Sequence, residues 1–171
     1  MKLACAILLS AAALAAQSGS DNPLIDSSKG MYAIVKNDIL KSAEKIPDSM
    51  WTFQPTPEIR TVGQLFGHIA DAQYGICGAV YTGTKPSSSV EKTAKTKAEI
   101  VTAVKAAFAF CDAAYNSMTD ANAAETVKFF GHQASKVAVM DFNVAHTFEH
   151  YGNLVTYMRI KNIVPPSSEG Q

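Results

Sequence analysis

The chain reads as an all-α protein, a four-helix bundle. Three observations predict this. Four segments of about 20 residues each repeat apolar residues at helical spacing. No segment alternates apolar and polar residues as a half-buried strand would, and no internal repeat is visible. Two of the segments open on capping-box sequences, Thr61 to Gln64 and Thr96 to Glu99, which satisfy the free amides of a helix start.

In chain order, residues 1–16 stand apart. Met1-Lys2 is a short positive start, Leu3 to Leu14 is apolar except for Ser10, and Ala13-Leu14-Ala15 fits the small-x-small cleavage rule. This is the pattern of a secretory signal peptide cut after Ala15 or Ala16, and the run is too short to span a bilayer comfortably. The mature protein is therefore expected to be exported, either periplasmic or secreted. Residues 17–27 form a polar leader, and residues 28–164 carry the bundle.

The first predicted helix runs from Ser28 to Ile46, with Met31, Ile34, Val35, Ile39, Leu40 and Ala43 on one stripe, and Pro47-Asp48 stops it. A loop with Trp51, Phe53, Pro55 and Pro57 follows, its aromatics expected to fold back onto the bundle. The second helix begins near Thr61, buries Val62, Leu65, Ile69, Ala72, Ile76 and Val80, and ends at Thr82-Gly83. Residues 84–95 are polar and read as a crossover, long for an antiparallel neighbour. A crossover of this length can return the chain to the starting end, giving the second and third helices one direction. The third helix runs from Thr96 to Met118, residues 119–131 are irregular, and Ser135 caps a fourth helix that reaches Asn162. Pro165-Pro166 forbids continuation, so 165–171 is expected to fray.

Fifteen basic and fifteen acidic residues give a formal net charge of zero, with no Lys/Arg run. Nucleic-acid binding has no support, and beyond residue 16 no segment can span a membrane. Loss of Cys5 with the leader leaves Cys77 and Cys111. In an oxidising compartment these two could pair; the preferred reading is two small buried core thiols. Neither has the neighbours of a catalytic thiolate.

The chain has four histidines. His146 and His150 are four residues apart, one turn along one helix face. Neutral imidazoles so placed can grip one divalent ion. A third, His68, lies in the second helix. If the three meet, the site has three nitrogen ligands and at least one open position, the layout of a catalytic rather than a closed structural metal site. The face of His146 and His150 continues through Asn153 and Tyr157; on the second helix Gln64, His68 and Asp71 form the matching series, with Gly67 and Gly75 beside it permitting close approach of a ligand or helix. Asp71 and Glu149 are the candidate general bases, each better read as structural, and no catalytic residue is assigned. His132 could hang over the site as a proton shuttle, but a surface loop histidine is the preferred reading.

Two blocks carry a resemblance: Thr61-Val62-Gly63-Gln64-Leu65-Phe66-Gly67-His68-Ile69-Ala70-Asp71, and His146-Thr147-Phe148-Glu149-His150-Tyr151-Gly152-Asn153. In their order and in the bundle layout, from about Ser28 to Ile163, they resemble the DinB-like metal-binding four-helix bundles, a family that includes bacterial thiol-dependent transferases. The family pattern is one His in the second helix and His-x-x-x-His-x-Gly-Gln in the last, so Asn153 stands where Gln is usual. The resemblance implies an up-down-down-up bundle. It implies a three-histidine site of His68, His146 and His150 for zinc, nickel or a similar ion, and a possible homodimer. The activity it implies is thiol transfer to an electrophile or isomerisation of a thiol adduct; an open metal site of itself would also support hydrolysis by activating a water, in either case on a small molecule that the sequence does not name. The alternative is a binding bundle without turnover. Trp51, Phe53 or Tyr157 lining a pocket beside an open coordination position would favour catalysis.

Overall fold

The computed structural model describes residues 20–170, which places the signal-peptide reading of residues 1–16 outside the described residues. The described chain is mostly helical. Four long helices, α1 (Pro23–Lys45), α2 (Val62–Tyr81), α4 (Lys97–Asn116) and α5 (Lys136–Ile160), surround one core; a single-turn helix, α3 (Val90–Thr93), sits in the crossover, and a two-stranded antiparallel hairpin, β1 (Thr126–Phe129) and β2 (His132–Ser135), precedes α5.

The helix starts follow the sequence signals. Thr61 and Thr96 close complete capping boxes with Gln64 and Glu99, and the Ser135 side chain accepts from the Ala138 amide. The first helix departs from expectation. It begins at Pro23, inside the polar leader, because Pro at the first position loses no helical hydrogen bond and the Asp120 carboxylate accepts from the Leu24 and Ile25 amides.

α2 is the central helix: only Gln64 and Tyr81 along it are exposed, and it packs on both α4 and α5. Its start meets the start of α4, where Gly63 lies against Ile100. Further along, Cys77 and Cys111 form a disulfide with Cα atoms 5.4 Å apart, both residues fully buried. This corrects the preferred reading of two free thiols; the packing of α2 on α4 brings their Cα atoms within the range a disulfide spans, which helix spacing alone does not specify.

Against α5 the contact is polar as well as apolar. The Gln73 side chain, fully buried, donates to Thr147 Oγ1 and accepts from the Asn143 amide, and Tyr115 donates to the Met140 carbonyl. Buried amides persist only when so satisfied. α1 closes the core through Tyr32, whose hydroxyl donates to Asp112, and its Ser28 donates to Asp141 near the start of α5.

Three segments differ from expectation. The crossover is organised, not merely polar: Asp71 accepts from the Ser88 hydroxyl and from the amides of Val90 and Glu91, tying α3 to α2. The segment read as irregular contains the hairpin, whose Phe130 and Gly131 both take positive φ (46° and 84°), as a two-residue type I′ turn demands. The tail expected to fray is docked, with Pro166 buried, the Ser167 amide donating to Tyr151 and Glu169 paired to Lys45. No helix among the described residues is long and apolar enough to cross a membrane.

Candidate metal centre

His150 falls on the buried stripe of α5 that includes Asn143, Thr147 and Leu154, while His146, one turn earlier, lies at its edge. His68 occupies the facing flank of α2. The three rings gather at centroid distances of 4.3 Å (His146–His150), 4.7 Å (His68–His150) and 5.3 Å (His68–His146). One nitrogen from each lies within 4.8 Å of the other two, so the group can hold a metal ion.

The donor chemistry fits such an ion. The Nε2 atoms of His146 and His150 are 3.1 Å apart; two nitrogens bound at 2.0–2.1 Å on a tetrahedral ion stand about 3.3 Å apart. Burial, with the neighbouring His146, His68 and Arg60, pushes the His150 pKa down to about 3. Burial and His68 also lower that of His146. Both rings are therefore neutral at pH 7, the form a metal requires. His146 Nδ1 is buried without a hydrogen-bond partner among the described residues.

Sequence reasoning missed the residues that orient His68. Its Nδ1 lies 3.1 Å from Glu91 Oε2, and Arg60 Nε donates to Glu91 Oε1 at 2.9 Å. An Nδ1–H held by a carboxylate leaves the Nε2 lone pair free for a ligand, the arrangement common around metal-bound imidazoles. Arg60 in turn is positioned by Tyr157, whose hydroxyl donates to its carbonyl at 2.9 Å. Glu91 is read from sequence as one charge in a polar crossover. Only Gly67 signalled it: a Cβ there would meet Glu91 Cα at 2.6 Å and Glu91 N at 2.8 Å. Gly67→Ala is accordingly expected to push α3 away, destabilise the protein by about 1–3 kcal/mol and weaken metal binding. A thermal melt and a zinc titration check both; an unchanged melt would show that α3 is not seated on α2.

The remaining site candidates separate. Asp71 is committed to anchoring α3, and Glu149 is exposed and lines neither of the cavities beside the histidines. His132 is exposed on β2 and lines neither, as the surface reading expects. Trp51 is in the core, stacked on Phe66 with its indole N–H donating to the Ile46 carbonyl. Of the three aromatics considered as pocket lining, only Tyr157 qualifies, in a cavity of about 650 Å³ shared with Arg60, Gln64 and Asn153. His68 and His146 face a different cavity of about 540 Å³.

The family model described as the DinB superfamily matches residues 31–154. Among solved structures, a DinB-like protein from Bacillus cereus is similar with a TM-score of 0.69 at 19% identity, over 83% of this chain and 95% of that one. A DinB-like protein from Bacillus subtilis gives a TM-score of 0.65 at 18% identity, over 80% of this chain and 92% of that one. At such identities the likeness speaks for the fold. No curated protein matches.

Proposed function

The chain belongs to the DinB superfamily, and from that premise we propose that it is an exported metalloprotein whose His68, His146 and His150 bind one divalent ion, zinc or nickel, with a coordination position left open. The observation that carries the reading is the convergence of three nitrogens from two helices beside a cavity. We read the four long helices as an up-down-down-up bundle. The reading is supported by the Gly63–Ile100 contact and the Cys77–Cys111 bond between α2 and α4, and by Gln73 meeting Asn143 and Thr147 across α2 and α5. The sequence of residues 1–16 and a disulfide suited to an oxidising compartment support export.

The residues divide the work. In the tautomer that leaves His68 Nε2 free for the ion, Glu91 accepts the Nδ1–H, and Arg60 Nη2, 3.2 Å from the same Nδ1, makes no hydrogen bond to it. Arg60 holds Glu91 in place and puts a cation beside the second cavity. Asn153, 3.5 Å from His150 Nδ1, accepts that ring's proton if its amide is turned to present Oδ1. When bound, the ion supplies acidification of a coordinated water or thiol near neutral pH. Thiol transfer to, or hydrolysis of, a small molecule is the chemistry such a site supports.

The test is metal content of protein purified without chelator or metal-binding tag, followed by zinc and nickel titration. About one ion per chain is expected; none, and no uptake, would end the proposal. Glu91→Ala is expected to lower zinc affinity about 10–100-fold while leaving helix content unchanged, read by competition with a chromophoric chelator; an unaltered affinity would remove Glu91 from the site. Sedimentation tests the homodimer that the family resemblance implies.

A further inference from the structure

The cavity beside His68 and His146 is two-sided in its chemistry. One wall is aromatic: Phe129, Phe130 and Phe142 contact one another at 4.3–5.7 Å, and Phe142 reaches the His146 ring at 5.9 Å. The rim is basic: Lys85 from the crossover, Lys92 from α3 and Lys128 from β1 all line it and all are exposed. None of the three lysines has a carboxylate partner among the described residues. The two lining carboxylates are already engaged, Asp71 with backbone amides and Glu91 with Arg60 and His68. Arg60 offsets Glu91, and the three lysines outnumber Asp71, so an anion approaching the rim meets a net positive charge.

The hairpin adds a second, independent sign. Its turn places Phe130 at a φ of 46°, where glycine or asparagine is usual, and leaves the residue 74% exposed. A bulky residue in the left-handed region, presented to solvent, works against both folding and solubility. Backbone strain of this kind concentrates at ligand clamps.

We propose that this cavity binds a small amphipathic organic anion, its apolar body against the phenylalanines and its carboxylate or sulfate among Lys85, Lys92 and Lys128. As a substrate class this rests on the metal reading above; as a binding site it stands on the cavity alone. The volume, about 540 Å³, suits a small molecule.

The experiment is calorimetric titration of the full chain with phenylbutyrate, phenylbutanol and phenylbutylamine, each with zinc present and after chelation. Phenylbutyrate is expected to bind at least tenfold more tightly than the amine, and less tightly as salt is raised. Changing all three lysines to Gln is expected to weaken it about tenfold. Phe130→Asn is expected to weaken it too while raising the melting temperature, because asparagine tolerates the turn; loss of binding in a more stable protein separates ligand contact from folding. Equal binding of the alcohol or amine, or no binding of any probe, overturns the proposal. So does a chain that sediments as a dimer broken by Phe130→Asn without binding phenylbutyrate, which would make the patch an interface. Phenylbutyrate binding with no zinc uptake leaves this site standing and ends the metal reading; zinc uptake without anion preference does the reverse.

Discussion

Replacing His150 with alanine is expected to abolish tight metal binding. His150 is the most enclosed of the three ligands, 6% exposed, and its ring is held neutral by burial far below pH 7. No proton need be removed before it can ligate, so its full donor strength is available at neutral pH. Without it the site keeps two nitrogens from two different helices. Loss of an outer-shell partner alone costs about 10–100-fold in affinity, so loss of the ligand itself is expected to exceed 100-fold. The readout need not await an activity. At free zinc a hundredfold above Kd, the intact site gains about 2.7 kcal/mol of stability, a clear rise in Tm, and the His150→Ala protein is expected to show none. The metal-free Tm should change far less than the holo Tm, since the neutral His150 ring meets only His146 Nε2 at 3.1 Å and the Asn153 amide at 3.5 Å as polar partners. His132→Ala, on the exposed β2, serves as the control and should bind zinc as the parent does. A full zinc-induced rise in the His150→Ala protein would show that the histidines do not act together.

The second large effect concerns the disulfide. Cys77 and Cys111 are separated by 34 residues, and closing a loop of that length restricts the unfolded chain by about 4 kcal/mol in the chain-entropy account. The double variant Cys77→Ala/Cys111→Ala is expected to lose about that much, a drop in Tm of roughly 10 °C for a chain of this size. Reductant should lower the parent Tm by a similar amount and leave the variant untouched. Two thiols titrated after unfolding without reductant would mean that the cysteines are free, as the sequence reading prefers. Because α2 carries both Cys77 and His68, the double variant is also expected to bind zinc more weakly at temperatures near its melt, where α2 and α4 begin to part.

Much of the site was legible in advance. His146 and His150 are bound to share a helix face by their spacing, and the capping box at Thr61 and Gln64 sets where α2 starts and so where His68 falls along it. Glu91 and Arg60 were not legible. They act through contacts 23 and 8 residues from His68 in sequence, made only because Gly67 lets α3 lie against α2 and Asp71 holds it there. The hairpin was missed for a local reason. Its strands are four residues each, too short to establish alternation, and its turn is Phe-Gly, which lacks the Asn-Gly or Asp-Gly signal of a type I′ turn. The sequence spacing puts His146, His150, Asn153 and Tyr157 on one helix face. In the fold Asn153 and Tyr157 open onto a different cavity from His146, with Glu91 bordering both, so one helix face serves two pockets.

By itself the sequence determined the class of fold, the long helices and their capped starts, and the histidine pair, because these follow from hydrogen bonding and periodicity within a turn or two of chain. Which helices touch, that Cys77 meets Cys111, that Glu91 meets His68, and that three lysines and three phenylalanines border one cavity were decided by the tertiary structure alone. Those contacts depend on how α2 packs against its neighbours and on a glycine small enough to admit α3. No local pattern encodes them, because the free energy that selects them is spread over the whole core.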